Sequence, residues 1–129
     1  MNLLLDTSVL LWVLANSPRL REQARDAIQD PDNQVFVSAA TAWEIAIKVA
    51  LGKLSAPRDV AEWLPRRLAY HRFLQLPIAF RHATAVEHLP FHHRDPFDRL
   101  LIAQASVERL AVVTADRWFD AYHITVIRC

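Results

Sequence analysis

Four short apolar runs, Leu3 to Leu5, Val35 to Val37, Ala111 to Thr114 and Ile124 to Ile127, are separated by stretches too rich in Ala, Leu, Arg and Glu to be strand. Phe73 to Leu76 is a weaker fifth strand candidate. Helices are expected over Ser8 to Ala15, Arg19 to Gln29, Ala39 to Leu51, Val60 to His71, Phe80 to His88 and Pro96 to Leu110. Strands that alternate with helices need crossover connections, which are right-handed and bring the strands together in parallel under covering helices. The pattern therefore predicts an α/β sandwich of three layers with a parallel sheet of about five strands. In such sheets ligands gather at the carboxyl ends of the strands, so chemistry is to be sought there.

Size and composition support this reading. A chain of 129 residues and 14.8 kDa buries about two thirds of its unfolded surface, enough for one core and too little for two, so residues 1–129 are expected to form one domain. The seven prolines are dispersed and no repeat or linker stands out. The single glycine, Gly52, excludes glycine-rich phosphate cradles and the nucleophile elbow, which argues against ATP-driven and NAD-linked chemistry. One cysteine, Cys129, excludes an intrachain disulfide and a multi-cysteine zinc site. Without a basic leader or an apolar run of about 20 residues, the expected location is the cytoplasm, with no membrane contact. The net charge of +1 names no partner.

Four acids fall at suggestive places. Asp6 follows the first strand and Asp116 the strand "AVVT"; each also has the ordinary role of a cap or turn residue. Glu44 lies in "AATAWEIAIKVAL", which is apolar all round and so expected to be mostly buried. It pairs at i, i+4 with Lys48, so a salt bridge and a cation-facing role both stand open. In "RDPFDRLLIAQA", Pro96 suits the first helical position, which makes Asp95 the natural N-cap and puts Asp98 in the first turn. Each acid has a structural explanation singly. Their convergence on one crevice would raise their pKa values mutually unless a hard divalent ion such as Mg²⁺ or Mn²⁺ met them.

Taken together, "LLLDTSVLLWVL", "VSAATAWEIAIKVALGKL", "RDPFDRLLIAQA" and "AVVTADRWFDAYHITVI" resemble, in order and spacing, the PIN-domain ribonucleases, and among them the VapC toxins of toxin–antitoxin modules. The resemblance implies the PIN-like sandwich and makes Asp6, Glu44, Asp98 and Asp116 the catalytic acids. Asp6 and Asp98 would be the metal ligands, with Glu44 and Asp116 as further candidates, and Thr7, Thr114 and Asp95 would support them. It implies an endoribonuclease in which water activated by Mg²⁺ or Mn²⁺ attacks the phosphodiester, leaving 5′-phosphate and 3′-hydroxyl ends without a histidine base. Implied partners are RNA, a small VapB-like antitoxin over the active-site groove, and a second copy in a homodimer. The alternative is a catalytically silent PIN-like domain that binds RNA or protein. A phosphoacceptor signalling domain is disfavoured, because Asp6 stands alone, no Asp follows Val37 and no Lys follows Thr114.

Other residues carry lesser expectations. His82, His88, His92 and His93 read as a loop of surface histidines, since Pro90 interrupts any helix that a zinc pair would need. Arg66, Arg67, Arg94 and Arg99 are candidates for RNA phosphates, against the plainer role of a solvated face. Trp12, Trp43 and Trp63 are expected in the core, Trp63 with partner contact as its alternative.

Overall fold

A computed structural model describes residues 1–57 and 59–129. Its strands are β1 (Asn2–Leu5), β2 (Gln34–Ser38), β3 (Leu74–Leu76), β4 (Ala111–Thr114) and β5 (Val126–Arg128). Its α-helices are α1 (Thr7–Leu14), α2 (Glu22–Gln29), α3 (Ala39–Ala50), α4 (Val60–Tyr70), α5 (Phe80–Ala85) and α6 (Pro96–Glu108). The strands form one sheet in the order β3-β2-β1-β4-β5, and every neighbouring pair is parallel.

Alternation along the strands builds two cores. Leu3 and Leu5 of β1, Val35 and Val37 of β2 and Ala111 and Val113 of β4 face one side, where Leu10, Ala24, Ile45, Leu64 and Leu68 from α1 to α4 cover them. Leu4, Phe36 and Val112 face the other side and meet Leu101, Ile102 and Ala105 of α6. The expected three layers are thus present. The chain leaves β1 first toward β2 and β3 and later returns to the other side of β1 with β4. The order reverses between β1 and β4, which opens a crevice beyond their carboxyl ends.

Several sequence expectations need correction. The last strand begins at Val126, because Val126 to Arg128 pair with Val112 to Thr114. A 3₁₀ turn over Arg117–Ala121, not anticipated, buries Phe119 ahead of it. The α5 helix ends at Ala85 and tightens to 3₁₀ over Val86–His88. The α3 helix is not buried on most of its circumference: Trp43 is 58% exposed, its ring edge against Phe97 at 5.1 Å. Trp12 and Trp63 do pack on the first core. His82 is buried, accepting from the Ala79 N–H on Nδ1 (2.9 Å) and meeting Glu108 Oε1 through Nε2 (2.8 Å), so it joins α5 to α6.

Candidate active site

The crevice is an acidic cavity of about 420 Å³ lined by Asp6, Glu44, Asp95, Asp98 and Asp116, with Thr7, Lys48 and Trp12 among its walls. Five carboxylates from β1, α3, α6 and the end of β4 thereby share one space.

Local structure fixes each one. Asp6 caps α1, accepting from the Val9 N–H on Oδ1 at 2.8 Å. Its Oδ2 accepts from the Thr114 hydroxyl at 2.5 Å, and that hydroxyl oxygen accepts from the Asp116 N–H at 3.0 Å. Asp6 thus makes the expected helix cap and at the same time lines the cavity. Asp116 likewise caps the 3₁₀ turn, with the Trp118 N–H donating to Oδ1 at 2.9 Å. Glu44 makes the expected salt bridge, with Lys48 Nζ 2.9 Å from Oε2, and it also lines the cavity, where Thr7 donates to Oε1 at 2.7 Å. Asp95 caps α6 through the Phe97 and Asp98 N–H groups, at 2.9 and 3.1 Å. Behind the site, the Ser38 hydroxyl donates to Gln104 Oε1 at 2.5 Å and ties the end of β2 to α6.

Sequence reasoning missed His93. Its Nε2 lies 2.8 Å from Asp98 Oδ2 and 3.3 Å from Asp116 Oδ2, where a surface loop had been expected. Its Nδ1 accepts from the Arg94 N–H at 3.1 Å, so the lone pair is on Nδ1 and the proton on Nε2. The ring thus donates to Asp98 and braces it against Asp116. The one signal was position: His93 stands two residues before the N-cap Asp95, on a loop that folds back over the first turn of α6.

The basic candidates divide. Arg99 is 5% exposed and is not available to RNA. Its guanidinium donates to the carbonyls of Val86, Leu89, Pro90 and His93 and to the Tyr122 hydroxyl, at 2.8 to 3.4 Å. Arg67 donates to the Leu14 carbonyl at 3.1 Å, and Arg66 lies 3.6 Å from Glu62. Neither lines the acidic cavity, whereas exposed Arg94 lines the hollow beside it.

Burial pushes the Asp6 carboxyl up to about 6, Asp116 and Glu44 adding repulsion against the hydrogen bonds from Thr114 and Val9. Asp98 is pushed up to about 7 by burial and by Asp95, with His93 acting in the opposite direction. Among the described residues no lysine or arginine ion-pairs with Asp6 or Asp98, and a divalent cation would supply the positive charge. The donor set is oxygen-rich, and ligand atoms of Asp98, Asp116 and His93 lie within 4.8 Å of one another, so the site fits a hard ion. Because Nδ1 of His93 is engaged by a donor, the carboxylates are the better ligands and His93 the brace.

The raised values set a pH dependence. The unfolded carboxyls ionise near 3.8 and the folded ones near 6 and 7, so between these limits the folded chain holds more protons and loses stability as pH rises. In EDTA the melting temperature is expected to fall between pH 5 and about pH 8. Mg²⁺ should raise it most at the alkaline end, where the carboxylates are ionised. Thermal denaturation with and without Mg²⁺ checks this; equal pH slopes would contradict it.

The family model of the PIN domain matches residues 3–124. Ribonuclease VapC16 of Mycobacterium tuberculosis is 41% identical over 70 residues, covering 51% of this chain and 48% of the relative, so the similarity spans about half of each. The fold is similar to that of a chain in VapBC2 from Rickettsia felis bound to a DNA fragment from their promoter, at 13% identity and TM-score 0.73, covering 100% of this chain and 99% of that one. It is also similar to a chain of VapBC-5 from Mycobacterium tuberculosis, a member of the VapBC family of toxin-antitoxin systems, at 23% identity and TM-score 0.63, covering 99% and 98%.

Proposed function

The chain belongs to the PIN domain family, and from that premise we propose that it acts as a single-domain VapC-like toxin, an endoribonuclease that hydrolyses RNA phosphodiesters in the cytoplasm with Mg²⁺ or Mn²⁺. The observation that carries this reading is the convergence of Asp6, Glu44, Asp98 and Asp116 on one cavity at the topological switch point. The named ribonuclease relative supports it over the half of the chain that it matches.

Asp6 and Asp98, with Asp116 beside them, would hold the cation. When bound, it would supply Lewis acidity toward the phosphodiester and a neighbouring water. The chain's own groups do the rest. Asp6 is immobilised through both oxygens by Val9 and Thr114, and Asp98 is braced by His93, so neither must reorganise as charge builds on the phosphate. Thr7 and Lys48 hold Glu44 from two sides. Asp116, the most exposed of the four acids at 34% of its side chain, orients the attacking water with Glu44. Water adds to phosphorus, the bond to the 3′ oxygen breaks, and the products carry a 5′-phosphate and a 3′-hydroxyl.

A small VapB-like antitoxin is the proposed partner. An apolar groove of about 600 Å³ between α3 and α4, lined by Trp43, Ala46, Val60, Leu64 and Pro77, suits an amphipathic helix. It is Trp43, not Trp63, that faces this groove. A homodimer follows from the family resemblance. No described helix is long and apolar enough to cross a membrane.

Purified protein incubated with total bacterial RNA is expected to cleave it with Mg²⁺ or Mn²⁺ and not with EDTA, leaving 5′-phosphate ends when the cuts are mapped. Full activity in EDTA, or 5′-hydroxyl ends, would overturn the reading, and absence of cleavage with either ion would favour the silent RNA- or protein-binding alternative.

A further inference from the structure

We propose that the exposed rings of Trp118 and Phe91 form a stacking platform that holds an unpaired base of the bound strand beside the acidic cavity. The inference rests on the ribonuclease reading above and adds to it the residues that grip the strand beside the scissile bond.

Trp118 is 56% and Phe91 85% exposed. With His92, His93 and Arg94 they line an open hollow of about 630 Å³. Two links join this hollow to the acids. The Trp118 N–H donates to Asp116 Oδ1 at 2.9 Å. The His93 ring lies nearly parallel to the indole, centroids 6.0 Å apart at 22°, while its Nε2 donates to Asp98 Oδ2. A nucleotide resting on the indole would therefore have its backbone next to Asp98 and Asp116.

The loop that carries Phe91 is tied down before any ligand arrives. Arg99 lies 4.3 Å from the centre of the Phe91 ring, and its N–H groups are tied to the carbonyls of the same loop. The Tyr122 hydroxyl donates to the Pro90 carbonyl at 2.9 Å, just before Phe91. One face of Phe91 is thus covered by a fixed guanidinium and the rest of the ring is open. Little ordering remains to be done on binding, which is the condition under which aromatic rings make good anchors.

The side chains of the hollow choose the ligand. Its walls are rings and a guanidinium, with no aliphatic side chain among them. The groove between α3 and α4 is the reverse, built from Ala, Val, Leu and Pro around one Trp. Aliphatic walls suit the apolar stripe of a helix, whereas π faces beside an arginine suit a nucleobase and its phosphate. Exposed Arg94 stands in the wall of this hollow and offsets the acids for an approaching polyanion. A base inside a duplex has both faces stacked, so only an unpaired one can lie on Trp118.

The test uses protein carrying Asp98→Asn, to halt cleavage, and two fluorescent probes of equal length, an oligouridylate and a chain of abasic ribose phosphates. Anisotropy titrations are expected to show tighter binding of the oligouridylate. Adding Trp118→Ala should weaken it by about 5- to 150-fold and hardly change the abasic probe. Trp118→Phe should keep most of the preference. The salt slope should not move, since stacking neutralises no phosphate. Equal losses on both probes, or no loss on either, would overturn the platform. Cleavage assays separate this from failure of the underlying reading. If the unsubstituted protein never cuts RNA with Mg²⁺, the ribonuclease reading itself falls. If it cuts and Trp118→Ala alone leaves KM and kcat unchanged, the platform alone falls.

Discussion

Asp6→Asn and Asp98→Asn are each expected to lower Mg²⁺-dependent RNA cleavage by at least ~10²-fold, because each removes a charged ligand from a site in which the ion carries the catalysis. Asparagine is the informative replacement. At position 6 its carbonyl can still accept from the Val9 N–H and so preserve the α1 cap, and at position 98 it can still accept from His93 Nε2. Loss of activity therefore does not need loss of fold. Stability should move the other way. Burial holds the Asp6 carboxyl at about 6 against 3.8 for an ordinary aspartate, which corresponds to about 3 kcal/mol of destabilisation once the group is ionised. In EDTA at pH 8 the Asp6→Asn protein should melt at or above the parent, and Mg²⁺ should raise its melting temperature much less. If both variants melted lower with and without Mg²⁺ alike, the acids would be caps and nothing more.

Arg99→Met should be among the most destabilising single changes in the chain. The guanidinium is 5% exposed and is the common donor for the carbonyls of Val86, Leu89, Pro90 and His93. Methionine fills much of the volume and satisfies none of them. Buried acceptors left without donors cost about 1–3 kcal/mol each in the worst case, and relaxation of the loop toward water recovers part of this. The expected loss is about 3–5 kcal/mol, or about 10–20 °C in melting temperature for a chain of this size. Urea titration and calorimetry measure it directly. The loop that unravels carries His93 and Phe91, so RNA cleavage should fall even at temperatures where the variant stays folded, and hydrogen exchange should rise first in residues 86–94. An unchanged melting temperature would mean that the carbonyls find water without strain.

The two variants touch one site from different distances. Asp98 faces the cavity, and Arg99, about 100° further round α6, is buried and ties down the loop whose His93 comes back to brace Asp98. The dipeptide thus supplies a ligand candidate and the anchor of its own brace.

The strands were legible wherever a β-branched or aliphatic run had to be buried on both faces. Leu3 to Leu5 and Ala111 to Thr114 could be nothing else in a chain with this alternation, and the parallel sheet followed from the helices between them. Three of the four candidate acids have positions legible from local geometry: Asp6 and Asp116 follow strands and cap the next turn, and Asp98 lies in the first turn of α6 behind its cap Asp95, whereas Glu44 stands mid-way along α3. Where composition was asked to predict exposure, it misled. Arg99 and His82 are polar yet buried, and Trp43 is aromatic yet exposed. Burial of a polar group depends on whether partners converge on it, and for Arg99 the partners are carbonyls on a preceding loop and the Tyr122 hydroxyl.

Sequence by itself determined the alternation, the layer order and the placement of Asp6, Asp98 and Asp116 at element ends, because these rest on periodicity and capping within a few residues of each group. Only the tertiary structure decided how the acids are held. Thr114 meets Asp6 across 108 positions, Thr7 meets Glu44 across 37, and Ser38 meets Gln104 across 66. The start of β5 belongs to the same class, since its register comes from pairing with β4 after the 3₁₀ turn has buried Phe119. So does the tautomer of His93, which follows from an Arg94 N–H on one side of the ring and two carboxylates on the other. A hydrogen bond is made or lost within a few tenths of an ångström, and only the packed chain fixes distances between remote residues that closely.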